Sequence, residues 1–325
     1  LGLRYSQRVP VGEGQIRWSL GLDHERMSEL RRGYINNFGA QGALKRDEDD
    51  SVHSTGLYTQ ADWAINADWS ALAGLRANRV KFRVDDAFIT PTNPDDSGSA
   101  AFSATNPVLG ITRHLNDSTN LYANIGRGFE TPTFTEIAYT PSGSGPNLDL
   151  LAARSTHVEF GVKSRIAEAH RLDAALFLID TDNEIVVASS SGGRTLYTNA
   201  GKTRRSGVEL SHAAQWTPEW RSLLALSTLK AEFAEAFTSS SGALVAAGNR
   251  IPGVADRSLF AELAWQPRAW AGFTGALELV HRGSIVVDDL NTDRAAAVTL
   301  LNLRLGWEQP LGAWTLREHL RVDNL

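Results

Sequence analysis

The chain has 325 residues, 42% of them hydrophobic and 21% charged, with a formal net charge of -5 and no cysteine. That balance offers no field to gather nucleic-acid phosphates, and it excludes disulfides and thiolate metal sites. No run approaches the roughly 18 consecutive apolar residues of a spanning helix, which leaves open a protein that crosses a membrane with strands of about 9 to 11 residues.

Read in chain order, the apolar residues recur at every second position. Ile16, Trp18, Leu20 and Leu22 alternate with Arg17, Ser19 and Gly21; Val80, Phe82 and Val84 with Lys81 and Arg83; Leu121, Ala123 and Ile125 with Tyr122 and Asn124. Val158, Phe160 and Val162 follow, then Leu259, Ala261, Leu263 and Trp265, then Leu301, Leu303, Leu305 and Trp307. A period of two predicts strands with one apolar and one polar face.

The links between these runs alternate in length. Short ones such as "VPVGEG" (9 to 14), "INADW" (65 to 69), "IAEAH" (166 to 170) and "WQPRAW" (265 to 270) take turns with long ones. The long links cover roughly residues 25 to 51, 85 to 105, 127 to 153, 181 to 194, 233 to 256 and 284 to 296. About fourteen strands are expected, in an all-β, antiparallel, up-and-down transmembrane β-barrel with short periplasmic turns and long extracellular loops. Tryptophan placement fits this. Trp63, Trp69, Trp216, Trp220, Trp265, Trp270, Trp307 and Trp314 flank short turns in pairs, as a girdle at a bilayer interface would.

"LYANIGRGFETPTFTEIAY" (121 to 139), "FGVKSRIAEAHRLDAALFLIDTDNEIVV" (160 to 187), "YTNAGKTRRSGVELS" (197 to 211) and "LRVDNL" (320 to 325) together resemble the C-terminal barrel of TonB-dependent outer-membrane receptors, above all the ferric siderophore class. The resemblance implies a barrel of roughly 22 strands in the bacterial outer membrane, plugged by a separate domain. It also implies a transported iron chelate, such as a ferric siderophore, and an energy-supplying partner, the TonB complex, which acts through the plug region. Outer-membrane lipid would surround the barrel. Residues 1 to 325 are expected to form one partial barrel domain, with the N-terminal plug, the first barrel strands and the last strand missing; Leu1 at the start and a single methionine, Met27, fit an excised piece.

Ligand capture is expected from donors with stacking surface at the long-loop end: Arg31, Arg32 and Tyr34, Arg194 and Tyr197 beside the "SSSGGR" tip, and Arg127 and Phe129, with Tyr139, in the "GRGFETPTFTEIAY" segment. For that last segment the leading reading is a loop anchor, with ligand contact second, since Pro132 is barred from a central ladder and Glu130 and Glu136 can accept hydrogen bonds. The acidic run "RDEDD" (46 to 50) reads as a solvated loop or strand entrance in preference to a calcium loop. No HExxH, GxSxG or phosphate-binding glycine loop occurs, so neither enzymatic activity nor a cofactor is expected. The alternative classes are another outer-membrane barrel, such as a porin or lipid-processing enzyme, and a soluble β-rich binding domain.

Overall fold

The computed structural model describes residues 1 to 140, 145 to 167, 169 to 191, 194 to 239 and 242 to 325. Glu168 of the "IAEAH" turn and the two glycines of the "SSSGGR" tip lie outside the described residues. The chain starts with β1 (Gly2–Val11), β2 (Gly14–Asn37), β3 (Ala40–Ala64), β4 (Trp69–Asp86), β5 (Gly98–Asn116) and β6 (Thr119–Glu130). A single helical turn, α1 (Phe134–Ile137), precedes β7 (Ala153–Ile166) and β8 (His170–Asp182). Next come β9 (Ile185–Ser191), β10 (Arg194–Asn199), β11 (Lys202–Gln215), β12 (Trp220–Phe233), β13 (Phe237–Thr238) and β14 (Leu244–Val245). The last elements are β15 (Arg257–Trp265), β16 (Phe273–Arg282), β17 (Ile285–Val286), β18 (Arg294–Ala295), β19 (Val298–Leu311) and β20 (Trp314–Val322).

Fourteen of these strands form one antiparallel meander, in the order β1-β2-β3-β4-β5-β6-β7-β8-β11-β12-β15-β16-β19-β20. Every neighbour in the sheet is the next strand in sequence once the small loop ribbons β9–β10, β13–β14 and β17–β18 are set aside. Such nearest-neighbour pairing follows from links too short to cross another strand.

Two expected loops turn out to be ladder. Residues 25 to 51 are not an open loop: β2 and β3 stay paired from Gln15↔Ala64 up to Asn37↔Ala40, turning at Phe38 and Gly39, which both have positive φ. The physical reason is charge complementarity across the ribbon, since Arg31 opposes Glu48 and Arg32 opposes Asp47. The "RDEDD" run is therefore part of β3 near its start, so of its two expected readings the strand entrance holds and the solvated loop does not. Likewise residues 181 to 194 hold the end of β8 and most of the β9–β10 ribbon.

Burial is distributed as a barrel wall requires. The exposed large apolar residues include Leu57, Leu75, Leu109, Ile125, Phe160, Leu176, Leu263 and Leu277, all on one face of the sheet. Among the described residues the buried apolar clusters sit at the long-link end: Phe82, Ile137 and Leu150 form one, and Ala200, Ala231, Phe233, Val245 and Ile251 another. A two-layer sandwich would instead bury its apolar rows against a second sheet.

Candidate functional site

The opposite face of the sheet is polar. Arg17 pairs with Asp62 at 3.1 Å, Tyr122 Oη donates to Glu159 at 2.7 Å, and Arg304 bridges Glu262 at 2.7 Å and Glu278 at 2.8 Å. At the long-link end of this face lies a cavity of about 270 Å³, lined by five cationic side chains, Arg31, Arg32, Lys45, Arg46 and Arg194, against the carboxylates of Glu48, Asp86 and Asp96.

Tyr139 is its hub. The guanidinium carbons of Arg46, Arg194 and Arg31 lie 4.7, 5.1 and 6.0 Å from the centre of the Tyr139 ring, within the reach of cation–π attraction. Four elements converge here: β2 carries Arg31, β3 carries Arg46, the segment after α1 carries Tyr139, and β10 begins at Arg194.

Glu48 organises the arginines beneath. It receives Arg46 Nε at 3.2 Å and Arg31 Nη1 at 4.0 Å, while Arg46 Nη2 also donates to the Ala138 carbonyl at 3.2 Å. Two positions along β3, Asp50 is 1% exposed and its Oδ1 has no hydrogen-bond partner. Burial pushes the Glu48 carboxyl above its ordinary range, with Asp50 and Asp86 adding to the rise and Arg46 and Arg31 opposing it. Asp50 is raised first by burial as well, opposed by Arg31 and reinforced by Glu29. Both stand clear of the spanning part of β3, since Asp50 is thirteen residues from Trp63 and a spanning strand uses roughly 9 to 11.

The loop that carries Tyr139 is built by the "GRGFETPTFTEIAY" segment. Thr133 and Glu136 form a capping box: the Thr133 amide donates to Glu136 Oε2 at 2.7 Å, and the Glu136 amide donates to Thr133 Oγ1 at 3.3 Å. Pro132 is fully buried and Ile137 packs with Phe82 and Leu150. The Ile137 carbonyl then accepts from the Asn147 amide at 2.7 Å, closing the loop.

Of the residues expected from sequence, the structure gathers Arg31, Arg194 and Tyr139. Arg32 lines the cavity, but it sits on the opposite face of β2 from Arg31 and pairs with Asp47 at 3.1 Å. Tyr34 follows a register shift after Gly33 and does not line the cavity. Arg127 and Phe129 share the face of Leu121, Ala123 and Ile125, because β6 pairs with β7 without a bulge, so alternation directs them away from the polar face. Tyr197 packs against the Phe82 cluster, and its carbonyl accepts from Asn147 Nδ2 at 3.4 Å. Arg46 and Glu48 were hidden in the "RDEDD" run; read as strand, that run places both on one face.

At the short-turn end the aromatic residues meet across strands. Trp220 stacks on Trp265 with centroids 5.7 Å apart, Trp265 meets Trp270 at 5.3 Å, and Phe273 meets Trp307 at 5.8 Å. Arg113 lies 5.1 Å from the Trp69 ring centre and pairs with Asp68 at 2.7 Å. Trp63, Trp216 and Trp314 are exposed at the same end.

A one-sided apolar wall of antiparallel strands, with tight turns at one end and a charged cavity under loops at the other, has the build of an outer-membrane β-barrel wall. The model of the TonB dependent receptor-like β-barrel family matches residues 2–325, and the chain belongs to that family. The catecholate siderophore receptor Fiu of Escherichia coli strain K12 is 32% identical over 116 residues, 34% of this chain and 15% of Fiu. A probable TonB-dependent receptor of Bordetella pertussis, BfrD, is 24% identical over 184 residues, 55% of this chain and 24% of BfrD. Among solved structures, the unliganded ferric citrate transporter FecA superposes with a TM-score of 0.79 at 21% identity, covering 99% of this chain and 48% of FecA. The closed form of Fiu from Escherichia coli K12 gives 0.72 at 18% identity, covering 100% and 49%. The chain thus spans about half the length of these solved structures and less of the curated relatives.

Proposed function

We propose that this chain is the C-terminal wall of an outer-membrane receptor that imports a ferric siderophore or a similar iron chelate. The observation that carries the reading is the Tyr139 cavity, where guanidinium groups and an aromatic ring stand at the mouth of a polar-lined wall. Guanidinium forks match carboxylate, catecholate and similar oxygen donors, and a cavity wall of lowered dielectric strengthens those charge-assisted bonds. Family membership and the relatives named above for siderophores and ferric citrate support the same reading. In it, a plug region and the remaining strands of a barrel of roughly 22 lie outside residues 1 to 325, and TonB delivers energy through that plug. Outer-membrane lipid covers the apolar face, the tryptophans mark its periplasmic interface, and the protein performs transport without enzymatic chemistry or a resident cofactor.

The test is iron-limited growth and radiolabelled iron uptake by cells with the full-length gene deleted and then restored, across a panel of single ferric chelates. The expected result is loss and recovery of uptake for one chelate class, abolished when TonB is absent. Uptake of all chelates unchanged by the deletion, or a folded detergent-free monomer of the excised chain, overturns the reading.

A further inference from the structure

Resting on that receptor reading, we propose that the outward, apolar face of β2–β7 holds a phosphorylated, acylated lipid of the outer leaflet, its phosphates on a band of unpaired cations and an acyl chain in the apolar groove beneath. The band follows from alternation and register. Toward the long-link end the row of Leu22 continues through His24 to Arg26, the row of Leu57 through Thr55 to His53, and the row of Leu75 through Ala77 to Arg79 and Lys81. Arg26 stands opposite His53 and His53 opposite Lys81, while Thr55 stands opposite Arg79. On β6 Arg127 is the next outward residue after Ile125, and on β7 Arg154 lies in the row of Val158. All five cations, Arg26, Arg79, Lys81, Arg127 and Arg154, are exposed. Arg79 is ten residues from Trp69, and Arg26 ten from Ile16, the partner of Trp63. A spanning strand uses roughly 9 to 11 residues, so the band stands where the far edge of the hydrocarbon meets headgroups.

Charge pairing separates this band from the rest of the outward face. On β11, β12 and β15 the outward cations have carboxylates: Arg204 pairs with Asp180 at 2.7 Å, Lys230 with Glu232 at 2.7 Å, Lys202 with Glu235 at 3.3 Å and Arg257 with Asp256 at 3.5 Å. Among the described residues none of the five cations of the band has an ion pair. Arg154 stands opposite Asp182 in register, yet its Nη2 donates to the Ser103 carbonyl at 3.1 Å, and Ser103 is the residue directly paired with Arg79. The guanidinium of β7 thus leans across β6 toward that of β4. Between them the outward residues of β5 are Ala101, Ser103 and Thr105, short side chains that leave a shallow seat. Like charges gathered on neighbouring strands repel unless an anion joins them, and phosphate matches guanidinium forks in pairs of hydrogen bonds.

The surface below makes that anion a lipid's. An apolar groove of about 570 Å³ runs down the same strands, lined by Trp63, Leu109, Ile111, Ile125, Val158 and Phe160. Ile125 and Val158 belong to the rows that end in Arg127 and Arg154, so groove and cations form one continuous surface. A soluble anion gains nothing from the groove. A molecule that joins phosphate to acyl chains is stabilised by both parts, by about 0.8 kcal/mol per buried CH₂ in the lower one.

The experiment uses the purified full-length receptor, stripped of bound lipid in detergent, and native mass spectrometry with three probes. These are diphosphoryl lipid A, phosphatidylcholine, and the lipid A headgroup with its phosphates kept and its acyl chains removed. The wild type is expected to bind lipid A about tenfold or more tighter than either other probe, with the preference over phosphatidylcholine shrinking as salt rises. Arg79→Gln, Lys81→Gln and Arg127→Gln combined are expected to lower lipid A affinity about tenfold or more and to leave phosphatidylcholine within about twofold, since each cation near a lipid surface contributes about fivefold. Arg79→Lys with Arg127→Lys keeps the charge and is expected to keep most of the preference. Arg204→Gln with Lys230→Gln, which removes cations that already have carboxylates, is expected to change lipid A affinity by less than about twofold. A triple variant that binds lipid A within about twofold of the wild type overturns the proposal. So does an equal loss in the Arg204 and Lys230 variant, or a wild type that holds phosphatidylcholine or the acyl-free headgroup as tightly as lipid A. Each of these outcomes leaves the receptor reading to the uptake panel, so the two fail separately.

Discussion

Tyr122 occupies the space that a side chain on Gly161 would need. The two are directly paired across β6 and β7, and a Cβ built on Gly161 would fall 2.5 Å from the Tyr122 ring. The same relation holds between Tyr58 and Gly21 and between Phe177 and Gly207, each a cross-strand pair on the polar face. A ring laid over a glycine covers backbone that the missing side chain leaves bare. Gly161→Ala is expected to lift the ring and break the 2.7 Å bond from Tyr122 Oη to Glu159. Such overpacking costs about 1–3 kcal/mol, read as a lowered unfolding midpoint of the refolded barrel; Gly161→Ala with Tyr122→Leu is expected to recover much of the loss.

Thr133→Ala removes one half of the capping box at α1. The expected loss is about 1 kcal/mol, confined to the loop, because α1 touches the barrel through Phe134 and Ile137 in the Phe82 cluster and these contacts do not depend on the cap. Hydrogen exchange should quicken at residues 134 to 139 while the strand amides of β6 and β7 keep their protection. Equal loss in the strands would show that the loop and the wall unfold together.

Phe233 is fully buried with Val245 and packs edge-on against Phe237 at 4.9 Å. Phe233→Ala is expected to cost about 3–5 kcal/mol locally, which exceeds what the two-residue strands β13 and β14 can withstand. Limited proteolysis should then cut within residues 234 to 256 long before it reaches the main sheet. Unchanged protease resistance would place the loop's stability elsewhere.

Asp50→Asn tests the buried carboxylate. Because burial raises the folded carboxyl above its unfolded value, the folded state holds the proton more tightly, so ionisation weakens the fold as pH climbs from the ordinary carboxylate range through the raised value. The neutral amide is therefore expected to stabilise the β2–β3 ribbon at neutral pH, and its advantage should vanish in acid, where Asp50 itself is protonated. An advantage that persists unchanged at low pH would assign the effect to packing and not to charge.

Topology is tested by cysteine labelling on whole cells. Phe38, at the tip of the β2–β3 ribbon, is fully exposed, and Arg268 lies in the turn between β15 and β16. In the full-length receptor Phe38→Cys is expected to react with an impermeant reagent and Arg268→Cys to react only after the outer membrane is opened. The reverse pattern would invert the barrel. Ser240, another natural position for such a probe, lies outside the described residues.

The sequence by itself determined the wall. Period-two alternation divides each strand into two faces, so the rows through Leu263 and Leu303, their antiparallel order and the fourteen-strand count were legible from one dimension, whereas the run Val80, Phe82 and Val84 turned out to lie on the polar face. The paired tryptophans were legible for the same reason, since each flanks a turn only a few residues long.

What only the tertiary structure decided was which residues share the Tyr139 cavity. Tyr139 meets Arg46 and Arg194 from elements far apart in the chain, and no local pattern encodes a contact whose partners are brought together by the folding of whole loops. The face on which Arg127, Phe129 and Arg32 fall depends on how far each ladder runs before a bulge. The "RDEDD" run read equally as a solvated loop or a strand entrance, because charge is normally solvated. It became strand because Arg31 and Arg32 stand opposite it in register, and that register is set by the β2–β3 pairing and not by the run itself.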